Sequence, residues 1–147
     1  MSKVTALYHI VFATKNREMT ISETYREDVY RFIWKIIKDR NCVLLRIGGV
    51  PNHIHMIVNI NPRVALSDLM EELKSKSSIW MKRDGRFNGF NGWCKEYFAE
   101  TVAWKDKESV IEYIKNQKEH HGFETAEDEF RKLYANNAKV FHDNDLN

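Results

Sequence analysis

Along residues 6–104 the spacing of apolar side chains switches between two residues and about 3.6, and the order of those switches admits few folds. The segment "ALYHIVFAT" (6–14) is β-branched and aromatic over a strand-like length and reads as a central strand. In residues 20–41 Val29, Phe32, Ile33, Ile36 and Ile37 follow the i, i+3, i+4, i+7, i+8 rule of a helix, which Thr20 and Glu23 would open as a capping box. "CVLLRIGGV" (42–50) and "HIHMIVNI" (53–60) read as strands joined by a tight turn at Gly49, Val50, Pro51 and Asn52, hence an antiparallel hairpin. Pro51 and Pro62 bracket the second of them. Leu66, Leu69, Met70, Leu73 and Ser77 then fall at helical spacing, predicting a helix over 65–82 that Gly85 stops. After a loop rich in Gly and aromatics, "YFAETVAW" (97–104) reads as a fourth strand, with Tyr97, Ala99 and Thr101 on one side and Phe98, Glu100 and Val102 on the other.

The resulting order, βαββαβ, is the ferredoxin-like split βαβ layout: an α+β fold with a four-stranded antiparallel sheet and both helices on one face. Strands one and three are central, so Ile54, Met56, Val58 and Ile60 must meet the helices. His53 and His55 then point to the open face. Residues 105–122 supply an additional helix, begun by Asp106 with Ser109 nearby and ended by Gly122. Its Val110, Ile111 and Ile114 form a docking stripe, while Tyr113 and Gln117 share one side a turn apart. A last amphipathic segment, 125–137, carries Phe130, Leu133 and Tyr134 on one stripe and reads as a short C-terminal helix.

Two imidazoles, an amide oxygen and a phenol on one face have a chemical use. Imidazoles bind a divalent ion and leave coordination positions for water and a phosphate oxygen. A phosphodiester polarised in that way is open to in-line attack by a phenolate, giving a covalent phosphotyrosine. The ion also matters because an unassisted phenol, with a pKa near about 10, is a poor nucleophile at neutral pH. The bulk composition neither adds to nor opposes this. The length of 147 residues suits one domain, 1–147, and a net charge of +2 confines any basic surface to a local patch. Cys42 and Cys94 are too few and too far apart for a disulfide framework or a thiolate zinc site and read as ordinary buried thiols. The N-terminal apolar run is interrupted by His9 and followed by Lys15 and Arg17, unlike a signal peptide or membrane span, so a cytoplasmic protein is expected.

The sequence resembles the single-tyrosine HUH transposases of small insertion sequences, including the REP-associated tyrosine transposases. The resemblance rests on His53-Ile54-His55 in "PNHIHMIV", the opening "YHIVFATKNR", "LKSKSSIWMK" in the second helix, the strand "WCKEYFAETVAW" and "VIEYIKNQKEHH". It implies Tyr113 as nucleophile and His53, His55 and Gln117 as ligands of Mg2+ or Mn2+. It further implies cleavage and rejoining of single-stranded DNA with hairpin ends at insertion-sequence termini, through a 5′-phosphotyrosine and a free 3′ hydroxyl. No nucleotide cofactor is needed, because the covalent bond conserves the phosphodiester's energy. A homodimer is also implied, and either protomer could supply Tyr113 to a given site.

Residues expected to touch DNA are Lys15 and Arg17 after the first strand, Lys74, Lys76, Ser77 and Ser78 in the second helix, and Lys82 and Arg83 at its end. Phe87, Phe90 and Trp93 either stack on unpaired bases or tuck under the sheet edge. His9 reads as structural, and His120 and His121 as solvated residues near a helix C-terminus. Each motif taken singly is unspecific, and the same fold without the chemistry would be a domesticated, non-catalytic single-stranded nucleic-acid binder. Retention of both histidines, Tyr113 and Gln117 argues for chemistry. Deaminase and histidine-triad hydrolase patterns are excluded, the first by the absence of a PCxxC pair and the second by Ile57 where a third histidine is required.

Overall fold

The computed structural model describes residues 2–117. β1 (Leu7–Ala13), α1 (Arg26–Asp39), β2 (Val43–Val50), β3 (His53–Asn59), α2 (Leu66–Asp84), β4 (Phe98–Val102) and α3 (Lys107–Lys115) follow one another, with short 3₁₀ turns at Lys15–Arg17 and Trp104–Asp106. The sheet order is β2-β3-β1-β4 and every neighbouring pair is antiparallel, so β1 and β3 are central as the element order predicts. Pro51 and Asn52 alone form the turn between β2 and β3, pairing Val50 with His53 and Gly48 with His55. A bulge between Leu44 and Arg46 adds one residue to β2 farther along.

Alternation divides the sheet between two cores. Ile10 and Phe12 of β1 and Ile54, Met56 and Val58 of β3 join the buried stripes of α1 (Val29, Ile33, Ile37) and α2 (Leu69, Met70, Leu73, Met81). On the opposite face Leu7 and Ile57 receive Ile114 of α3, with Val110 and Ile111 beside it. Val11, Ala13 and Phe98 form a further buried group on that same face. Phe87, Phe90 and Trp93 belong to the first core, with the Trp93 ring 4.8 Å edge-on from Phe12. They tuck under the sheet and are withdrawn as base-stacking candidates.

Four local expectations change. The capping box does not form: α1 starts at Arg26, and neither Thr20 nor Glu23 caps it. The amides of Thr20 and Ile21 bond instead to the Pro51 carbonyl, at 3.1 and 2.8 Å, which fastens this stretch to the hairpin turn. α2 continues to Asp84 and ends at Gly85, whose φ of 87° suits the left-handed cap predicted there. β4 is shorter than 97–104 because Trp104–Asp106 curl into a 3₁₀ turn leading to α3, and Asp106 makes no side-chain cap. The helix predicted to Gly122 is seen as Lys107–Lys115, and residues 118–122, with His120 and His121, and the expected 125–137 helix lie outside the described residues. Both thiols are free, Cys42 buried and Cys94 half-buried. Among the described residues no helix is long and apolar enough to cross a membrane.

The seat of α3 depends on Gly48. A Cβ there would lie 2.9 Å from the Ile114 carbonyl oxygen and 3.2 Å from its Cγ2, and the first of these is backbone that cannot rotate away. Gly48→Val is expected to push α3 off β2 and to cost about 1–3 kcal/mol of stability, measured by urea unfolding. A variant as stable as the wild type would show that the helix is not held at this distance.

Candidate active site

The open face of β3 presents His53 and His55, both fully buried, beneath the C-terminal half of α3. Their orientation follows from Ile54, Met56 and Val58 taking the other face. The two imidazole centroids are 5.2 Å apart. The Tyr113 ring stands edge-on to His55 with centroids 5.6 Å apart. Gln117, one turn later, is 1% exposed, and its Nε2 donates to the Tyr113 carbonyl oxygen at 3.1 Å. With the nitrogen used as donor, Oε1 is the amide's electron-pair donor. The two imidazoles, the phenol and the amide that the sequence separates by some sixty positions thus occupy one region of the open face.

His9, read from the sequence as structural, belongs to this region. It is 4% exposed, its Nε2 is 2.9 Å from His55 Nδ1, and its ring centroid is 6.2 Å from that of Tyr113. Its other nitrogen, Nδ1, lies 3.8 Å from Glu100 Oε1 on β4. Burial pushes the Glu100 carboxyl above the usual carboxylate range. A signal for His9 existed in the sequence: Ile10 and Phe12 point to the helices, so alternation puts His9 on the histidine face. Asn52 is the other residue that sequence reasoning passed over. Its Oδ1 is 2.8 Å from His53 Nδ1, and its Nδ2 donates to the Arg17 carbonyl at 3.2 Å.

A divalent ion fits the donor chemistry present. Two imidazoles and one amide oxygen form a mixed set that leaves positions for water and phosphate oxygens. Among the described residues no group of three or more His, Cys, Asp or Glu is arranged to hold a metal.

The expected DNA contacts separate into two groups. Lys15 and Arg17 are exposed on the 3₁₀ turn that follows Ala13, the register partner of His53. The Lys15 amide bonds to the Gly92 carbonyl at 2.9 Å. A Cβ on Gly92 would be 3.6 Å from Ser78 Oγ and 3.8 Å from Lys82 Nζ, so the Gly92 loop stands against the Lys15 backbone and the Ser78 and Lys82 side chains. Asn16 and Arg17 both have left-handed backbone, φ 58° and 54°, a conformation that costs free energy for side-chain-bearing residues and clusters at functional sites. Three of the other helix residues are engaged elsewhere. Lys74 is half-buried, donates to the Lys95 carbonyl at 2.7 Å, and has its pKa lowered by desolvation. Lys76 pairs with Glu72 at 3.1 Å. Ser77 is corrected outright: it is fully buried, donates to the Leu73 carbonyl at 2.6 Å and accepts from the Trp93 indole at 2.9 Å. Arg83 is exposed in the last turn of α2.

Residues 2–117 match the family described as IS200-like transposases. The chain is 34% identical over 117 residues to the transposase of insertion sequence element IS200 from Salmonella typhimurium strain LT2, covering 76% of each protein. Among solved structures, a REP-associated tyrosine transposase bound to a REP hairpin superposes with a TM-score of 0.65 at 18% identity, over 84% of this chain and 76% of that one. A crystal structure of a candidate transposase from Deinococcus radiodurans gives 0.62 at 22% identity, over 80% and 95%. At such identities the two structural likenesses speak to the fold.

Proposed function

The chain belongs to the IS200-like transposase family, and from that premise we propose that it cleaves and rejoins single-stranded DNA at insertion-sequence ends through a phosphotyrosine on Tyr113. The observation that carries this reading is the meeting of Tyr113 with His55 under α3, the rings 5.6 Å apart, beside His53 and the buried Gln117. Tyr113 Oη gives up its proton and attacks the scissile phosphorus, forming the tyrosyl O–P bond as the P–O3′ bond breaks. The departing 3′ oxygen takes a proton and becomes a hydroxyl, and the 5′ end stays on the protein. Attack by a 3′ hydroxyl on that bond reverses the step and joins strands without a nucleotide cofactor. His53, His55 and Gln117 Oε1 would hold Mg2+ or Mn2+, which supplies positive charge against the phosphate and favours the phenolate.

In this reading Lys15 and Arg17, on the turn after β1, and Ser78 and Lys82, against the Gly92 loop, contact phosphates. The REP hairpin in the related structure supports a hairpin-ended strand as substrate. The same family reading implies a homodimer, which sedimentation would test, and the N-terminal sequence fits a protein working in the cytoplasm.

Incubation with a single-stranded hairpin end and Mg2+ or Mn2+ is expected to give a covalent protein–DNA adduct on a denaturing gel. Tyr113→Phe abolishes it, as does a chelator, and the double change His53→Ala, His55→Ala loses bound Mn2+. An adduct formed by Tyr113→Phe would remove Tyr113 as nucleophile, and no adduct with the wild type would leave a binding protein of the same fold. For the basic edge, Arg17→Ala and Lys82→Ala should each weaken DNA binding and make its log-log salt dependence shallower by about 0.7. Ser77→Ala, inside the core, should leave DNA affinity unchanged; a loss as large as that of Arg17→Ala would contradict the placement of the edge.

A further inference from the structure

Each ligand histidine is held through Nδ1 by a neighbouring side chain, and the two neighbours come from different parts of the fold. Asn52 serves His53. Its Nδ2 donates to the Arg17 carbonyl, 3.2 Å away, so the amide group is oriented with Oδ1 toward His53 Nδ1 at 2.8 Å. An amide oxygen only accepts, so the hydrogen of that bond sits on His53 Nδ1. His9 serves His55, with Nε2 at 2.9 Å from His55 Nδ1. Glu100 Oε1 is 3.8 Å from His9 Nδ1, beyond hydrogen-bond distance, but its negative charge favours the His9 tautomer with the hydrogen on Nδ1 and Nε2 as acceptor. The hydrogen between the two rings therefore belongs to His55 Nδ1. In a neutral imidazole protonated at Nδ1 the electron pair is on Nε2, so both histidines share the tautomer that ligates through the same atom.

We infer that His9 and Asn52 are positioning residues of the metal centre, each fixing the ring orientation and Nδ1–H tautomer of one ligand, His55 and His53 respectively. The inference rests on the reading of His53 and His55 as ligands. Outer partners of this type set ligand basicity and typically govern 10–100-fold in metal affinity. The two supports are independent: His9 is backed by β4 through Glu100, whereas Asn52 is backed by the turn that carries Lys15 and Arg17. The metal half of the site is thereby tied to the basic edge through Asn52 alone of the two.

Long-range ¹H–¹⁵N correlation of the imidazoles in full-length, chelator-treated protein reads the tautomers without activity or metal. Both His53 and His55 are expected as Nδ1–H, and Nε2–H on either ring overturns the assignment for that ring's partner. Calorimetric titration with Mn2+ is the second readout. His9→Leu and Asn52→Ala should each bind about 10–100-fold more weakly. His9→Gln, whose amide can still accept from His55, and Asn52→Asp, which keeps an acceptor for His53, should recover most of the affinity. Wild-type affinity in both His9→Leu and Asn52→Ala overturns the inference alone, whereas a wild-type protein that binds no Mn2+ overturns the ligand reading and this inference with it. Should His9→Leu not fold, the wild-type spectrum and the His9→Gln titration still decide.

Discussion

β3 is buried on both faces, and strand alternation gives each face a different task. Ile54, Met56 and Val58 are fully buried against α1 and α2, each contributing about 1.5–3 kcal/mol by leaving water. Turning the strand over would surrender that burial and drive two imidazoles into an apolar core at further cost. The core therefore enforces the direction of His53 and His55, and no local feature of the histidines is needed to explain it.

The tyrosine is placed by a weaker device. α3 spans nine residues, too few to be stable alone in water, so its position comes from docking. Ile114 enters the group formed by Leu7 and Ile57, and Gly48 lets the helix backbone approach to contact. Tyr113 and Gln117 inherit their places from that seat. One half of the candidate site thus rests on the main core and the other on a small satellite core, joined where His55 meets both Tyr113 and His9.

Much of this was legible in the sequence, because period-two and period-3.6 patterns report burial directly. They gave the strand order, the face of His53 and His55, the docking stripe of α3 and the stop at Gly85. Ser77 shows a reading that the same pattern should have prevented: it continues the stripe of Leu66, Leu69, Met70 and Leu73 and so faces inward, yet its Lys- and Ser-rich neighbours suggested an exposed hydroxyl. The Thr20 cap failed for a different reason. The Pro51 carbonyl that captures the Thr20 and Ile21 amides comes from thirty residues away, and local spacing carries no record of it. Asn52 was hidden likewise, since the direction of its amide is set by the Arg17 carbonyl across the fold.

The two-residue turn at Pro51–Asn52 joins β2 to β3 with no slack, and it makes the site unequal in the kinds of change it tolerates. Because side chains alternate with a period of two, a slip of one position in the pairing carries a whole strand's set to the opposite face. Most single exchanges of amino acid near the turn alter one contact and leave the parity of β3 intact. Inserting or deleting one codon there obliges the hairpin either to bulge or to trade its liganding face for its greasy one. The length of the connection, as much as the identity of the residues in it, therefore decides which face of β3 carries the histidines.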